Sequence, residues 1–200
     1  LKVLYVDTEC GENVLIQRYK ALQKQFEWSG NDRISFLTRD GSSENIYDTI
    51  ESTMDYLKPD IVFIDCLYNT TNDADISKNH HISPILNRIT EIKRKYKVTM
   101  FLVHHMNKGG HELGLQIDRI SGGSSLQNWS EHIIALTRTN ESSIRLMKIG
   151  KSRHIDYPEC YYELEWDSER EWLANLGVSN QPKELLITNH KKVGWRNVLR

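Results

Sequence analysis

The sequence predicts an α/β fold: a mostly parallel central sheet with helices on both faces, extended by antiparallel strands towards the C-terminus. Three observations predict it. Up to about residue 105, short apolar runs alternate with longer amphipathic stretches, the order expected of β-α-β units. The apolar runs are nearly continuous, as in strands buried on both faces. Beyond residue 130 the pattern turns into short strands separated by polar turns such as Asn140-Glu-Ser142.

Lys2-Val-Leu-Tyr-Val6 reads as the first strand. Val14, Leu15, Tyr19, Leu22 and Phe26 then recur at helical spacing up to about Trp28. Ile34 to Leu37 is a second strand, and Ile46, Ile50, Met54 and Leu57 line a helix that must end before Pro59. Asp60 to Asp65 is a strand closing on a carboxylate. Ile82, Ile85, Leu86, Ile89, Ile92 and Tyr96 form the cleanest helical stripe, and Val98 to Val103 is the strand that leads into His104-His105. A short helix is expected over Ser125 to Glu131. Strands are expected over His132 to Arg138, Ile144 to Ile149, Cys160 to Trp166 and Glu171 to Ala174.

A length of 200 residues predicts one domain with an appendage. Residues 1–176 are read as the core and 177–200 as a basic tail or the start of an appended unit, since 183–200 hold five Lys/Arg against one Glu. Hydrophobic residues at 38% and charged residues at 26% exclude an unpatterned disordered chain. A net charge of −1 excludes a protein that coats duplex DNA by bulk charge, while leaving room for a local basic patch. The longest apolar run, Val98 to Val103, is far short of a membrane span, so no membrane partner is expected. Cys10, Cys66 and Cys160 are odd in number and widely spaced, which points to a reducing, cytoplasmic setting. The chain starts at Leu1, already inside a strand-like run, so it is expected to be N-terminally incomplete.

Ligands of open parallel sheets bind at the carboxyl ends of the strands, where Asp7 to Glu9, Asp65 and His104-His105 all fall. A carboxylate at Asp65 can hold Mg²⁺; it can equally order the loop behind it. Glu9 can orient or deprotonate an attacking water, or be a solvated loop acid. His104 and His105 leave their strand on opposite sides, one to contact a phosphate and the other to pack. Their spacing, like that of His80-His81, is not the one structural zinc prefers. Lys108-Gly-Gly110 and Ser121-Gly-Gly-Ser-Ser125 are anion-cradling or merely flexible segments. Lys151 and Arg153 sit in a turn after a strand, where paired cations can reach a neighbour's nucleotide or stay solvated. No G-x-x-x-x-G-K-[S/T] phosphate loop occurs in the 200 residues.

In their order over about residues 2–155, these segments resemble RecA-fold ATPases of the hexameric replicative helicase group. The resemblance is nearer to plasmid RepA-type helicases and more distant to DnaB. Val3-Leu-Tyr-Val-Asp-Thr-Glu9, with Arg18 in the helix after it, resembles the strand that ends in the family's catalytic Glu; Asp60 to Asp65 resembles Walker B. Val98 to Lys108 is similar to the strand ending in paired His, and Arg119-Ile-Ser-Gly-Gly-Ser-Ser125 to the segment that borders the DNA channel. Lys151-Ser-Arg153 resembles the finger pair, with His154-Ile155 in place of the usual Gly.

The resemblance implies a RecA-like three-layer fold and an ATP- and Mg²⁺-dependent motor, with the phosphate loop preceding Leu1 and this fragment alone inactive. It implies Glu9, Asp65, His104, Lys151 and Arg153 as catalytic, Asp65 as metal ligand, and Asp65 and Arg18 as nucleotide contacts. Arg119, Gly122, Gly123, Ser124 and Lys108 become the single-stranded DNA contacts of a hexameric ring. The function expected is a DNA helicase of replication or mobile-element maintenance. The alternatives are a non-catalytic RecA-like nucleic-acid-binding adaptor, or a RecA-like ATPase of signalling or defence.

Overall fold

The computed structural model describes residues 1–29, 33–39, 45–70, 79–106, 114–121, 123–170 and 172–187. In chain order the elements begin β1 (Val3–Asp7), α1 (Glu12–Gln25), β2 (Ile34–Thr38), α2 (Ile46–Leu57), β3 (Ile61–Asp65), α3 (Asn79–Tyr96) and β4 (Thr99–Leu102). They continue with α4 (Gly123–Trp129), β5 (His132–Arg138), β6 (Ile144–Ser152), β7 (Tyr162–Asp167), β8 (Trp172–Val178) and α5 (Pro182–Leu185). The chain divides into two compact units, Leu1–Met106 with Ser121–Leu126, and Asn107–Ile120 with Gln127–Arg200.

The first unit is built on a four-stranded parallel sheet of order β2-β1-β3-β4. Alternation along the strands gives its faces different chemistry. Leu4, Val6, Val62 and Ile64 are fully buried, in one core with Ile50 and Met54 of α2 and Ile82, Ile89 and Ile92 of α3. The other face carries a row of rings running across all four strands: Phe36, Tyr5, Phe63 and Phe101, with centroids 6.1, 5.9 and 4.6 Å apart in turn. Tyr19 of α1 meets Phe36 edge-on at 5.2 Å.

Local signals set the helix limits. The Asn45 side chain accepts a hydrogen bond from the Tyr47 N–H and caps α2, which stops at Lys58 in the left-handed region, just before Pro59. Lys93, Arg94 and Lys95 close α3 with positive charge on its carbonyl end.

The second unit holds an antiparallel sheet of order β5-β6-β7-β8, a meander that hydrogen-bonds as a sheet of its own. Ile133 and Ala135 point into its core with Leu146 and Leu164, while His132, Ile134 and Leu136 point out. The β5–β6 turn is drawn tight by Thr139, whose buried hydroxyl lies 2.9 and 3.1 Å from the Glu141 and Ile144 carbonyls. Asn140 ties α5 to that turn through the carbonyls of Glu184 and Leu185. Gly114 has φ +73, and a Cβ there would come within 2.6 Å of the Tyr161 hydroxyl, so only glycine fits. Of the basic C-terminal stretch, 188–200 lie outside the described residues.

Candidate active site

Parallel pairing puts Asp7 and Asp65 at the same level, as register partners on neighbouring strands β1 and β3. Their roles differ. Asp7 is buried, and its two oxygens accept the backbone N–H groups of Cys10 (3.0 Å) and Gly11 (2.6 Å), shaping the turn into α1. Asp65 is half-buried and receives a hydrogen bond from the Tyr5 hydroxyl on Oδ2. Burial first, then the bond to Asp65 and the charges of Asp65 and Asp7, push the Tyr5 phenol well above its ordinary value; Arg18 opposes them. Tyr5 therefore remains a proton donor to Asp65 throughout the physiological range.

Just beyond, Thr8 couples the two strand ends. Its N–H donates to the Asp65 carbonyl at 2.7 Å; its hydroxyl donates to the Cys66 carbonyl and accepts from the Cys66 N–H, both at 2.9 Å. The Asp65–Cys66 peptide is cis. The Asn69 amide donates to the Thr8 carbonyl at 3.1 Å. This clasp sets where Glu9, the next residue, projects. Its carboxylate lies 3.8 Å from Nε2 of His105, beyond the end of β4.

The two histidines part company. His104 is largely buried, and its Nε2 lies 2.6 Å from the Ser121 carbonyl, to which it donates. Burial lowers its pKa, and the charge of His105 adds to this, against the opposing pull of the Ser121 carbonyl. Among the described residues its buried Nδ1 has no hydrogen-bond partner. His105 is exposed.

The remaining expectations fall elsewhere. Arg18, on α1, donates to the Cys10 sulfur at 3.5 Å. Gly123 and Ser124 open α4, which starts two residues earlier than its sequence pattern implied. Arg119, in the second unit, donates to the Gly114 carbonyl at 2.8 Å. Lys151 lies inside β6 rather than in a turn, because the register shifts between Ile133 and Ile134, skipping Gly150 of β6, and pairing runs on to His132↔Ser152. Lys151 and Arg153 hydrogen-bond the carbonyls of Gln127 and Asn128, in the last turn of α4. Burial, and then the charge of Arg153, lower the Lys151 pKa. Lys108 and Gly122 lie outside the described residues.

Sequence reasoning missed Tyr5, Thr8 and Cys66. Tyr5 was within reach, since it stands two residues before Asp7 and so shares a sheet face with it. Thr8 and Cys66 carried no such signal, because their clasp needs the register of β1 on β3.

The family described as an AAA domain matches residues 1–111, more than half of the chain. This chain belongs to the AAA domain family. Glu9, Asp65, His104 and His105 all fall within the matched span. The chain is also similar to the DNA repair and recombination protein RadB of Methanobrevibacter smithii, 27% identical over 163 residues, covering 77% of this chain and 68% of that protein. The parallel sheet of the matched span, followed in the chain by an antiparallel one, is a RecA-like arrangement. Among the described residues no helix is long and apolar enough to cross a membrane.

Proposed function

We propose that this AAA domain is the hydrolytic part of an ATP-driven motor working on single-stranded DNA. The observation that carries the reading is the pairing of Asp7 with Asp65, which ends β1 and β3 at one level, with Glu9 two residues beyond Asp7. Glu9, with His105 as its only described ion-pair partner, is the base that orients and deprotonates the attacking water.

Asp65 is a hard oxygen donor, and Tyr5 holds one of its oxygens in a fixed direction, so it suits Mg²⁺. Bound there, Mg²⁺ would neutralise charge on the phosphates. Arg18 supplies a cation near the same strand end for the nucleotide. His104 grips the Ser121 carbonyl and so links the end of β4 to the segment that enters α4. Lys108, Arg119, Gly122, Gly123 and Ser124 are the proposed DNA contacts. Lys151 and Arg153 complete a neighbour's nucleotide site in a ring of copies, releasing the α4 carbonyls as they do so. The similarity to a relative named for DNA repair and recombination supports DNA as the polymer. A helicase is the finer form of the reading, and cytoplasmic residence goes with it.

The test is ATP hydrolysis by the full-length protein with and without single-stranded DNA, beside Asp65→Asn and Glu9→Gln. Turnover stimulated by DNA and lost in both variants is the expected result, with strand displacement then reporting helicase action. Turnover unchanged in the variants overturns the assignment of the residues. No turnover with DNA binding intact overturns the motor and leaves a nucleic-acid-binding adaptor.

A further inference from the structure

Three side chains of different chemistry converge just past the ends of β1, β3 and β4. Glu9 offers a carboxylate oxygen, Cys66 its sulfur and His105 a ring nitrogen, and these atoms all lie within 4.8 Å of one another. Magnesium takes oxygen ligands, which makes thiol plus imidazole a poor set for it. The same set is the one zinc favours, with three protein ligands and one open position in sites that are not purely structural.

The three ligands are also unequally held. Cys66 is 1% exposed, and its backbone is pinned by Thr8 on one side and, through the Leu67 N–H on the Val103 carbonyl, by β4 on the other. Glu9 and His105 have side chains 46% and 60% exposed, and both stand on chain that has just left a strand. Ligand bonds of about 2.0–2.3 Å require donor atoms roughly 3.3–3.8 Å apart around a tetrahedral ion. Glu9 Oε2 and His105 Nε2 are already 3.8 Å apart, and the remaining closure is a rotamer adjustment of two exposed side chains toward one fixed sulfur.

We propose that Glu9, Cys66 and His105 bind a zinc ion, with water as the fourth ligand, at a site separate from the magnesium carboxylate of Asp65. On binding, the Cys66 thiol gives its proton to solvent and the thiolate takes the metal. Zinc then occupies the Glu9 carboxylate, so the ion acts as an inhibitor of hydrolysis; this consequence, unlike the binding itself, rests on the reading of Glu9 as the base.

The test uses the metal-free full-length protein with Co²⁺ and Zn²⁺ added, and no nucleotide present. A thiolate-to-cobalt charge-transfer band and displacement of Co²⁺ by a single equivalent of Zn²⁺ are expected. The band should vanish in Cys66→Ser and persist in Cys10→Ser and Cys160→Ser. Because Cys66 is buried and its replacement can perturb folding, the exposed His105→Gln provides a second reading: a zinc affinity at least about tenfold weaker. Absence of the band, its survival in Cys66→Ser with the fold intact, or unchanged affinity in His105→Gln overturns the site. As no nucleotide enters the experiment, its failure is distinct from a failure of the hydrolytic reading.

Discussion

The Tyr5 hydroxyl donates to Oδ2 of Asp65 across the β1–β3 boundary, a diagonal contact between residues on the same face of the sheet. Tyr5 is itself held by stacking on Phe63 at 5.9 Å and by contact with Phe36 at 6.1 Å, so the donor is aimed by packing. Outer partners of this kind orient a metal-binding carboxylate. Tyr5→Phe keeps the ring row and removes only the donor. It should raise the Mg²⁺ concentration for half-maximal ATPase activity by roughly tenfold while leaving the unfolding midpoint nearly unchanged. An unaltered Mg²⁺ requirement would separate Tyr5 from metal binding.

Asp7 is expected to be architectural. Its buried carboxylate satisfies two backbone N–H groups in the turn into α1, and removing it strands both. Asp7→Ala should cost about 1–3 kcal/mol in chemical denaturation. A cost well below this, with catalysis lost, would instead make Asp7 a member of the hydrolytic site.

The His104 clasp predicts a pH dependence. Burial lowers the pKa of His104 from its ordinary 6.5, so folding favours the neutral ring. At pH above 6.5 the ring is neutral whether the chain is folded or not, and the contribution is fully present. As the pH falls below 6.5, the unfolded chain takes up a proton that the folded chain resists, and stability is lost. Protonation would also place an N–H at the buried Nδ1, for which the described residues offer no acceptor. His104→Gln keeps a donor for the Ser121 carbonyl and removes the titration. The difference in unfolding midpoint between wild type and variant should therefore shift in favour of the variant as the pH is lowered. Parallel curves would contradict it.

Between α2 and α3, surface ion pairs and core packing make opposite demands. Arg88 bridges Asp48 and Glu51 at the surface, whereas the neighbouring Ile89 is fully buried. Arg88→Ala should cost no more than about 1 kcal/mol and be insensitive to high salt thereafter. Ile89→Ala should cost about 2–5 kcal/mol. Thermal or denaturant unfolding of the two variants checks the ordering, which a network worth more than the core contact would reverse.

Much of the fold was legible because each element satisfies a local rule. Pro59 and Asn45 bracket α2, the stripe from Ile82 to Tyr96 has helical period, and Ile61 to Ile64 is too short and too apolar for anything but a buried strand. Boundaries were less legible where pairing overrides local preference. β6 runs on through Lys151 because it bulges at Gly150 opposite Ile133 and Ile134 of β5, a property of two strands that neither discloses alone.

By itself, the sequence determined the element order, the apolar faces and the polar residues at the strand ends, since these follow from periodicity and from turn chemistry close along the chain. Only the tertiary structure decided what those polar residues do to one another. Asp7 and Asp65 look alike in sequence, yet one is spent on backbone N–H groups while the other faces Tyr5. His104 and His105 are adjacent, yet one is buried against Ser121 and the other stands beside Glu9. Glu9, Cys66 and His105 are separated by long stretches of chain and meet only because three parallel strands end at one level. Hydrogen bonds and ligand geometry act over a few ångströms of space, and strand register, which no single segment encodes, sets that space.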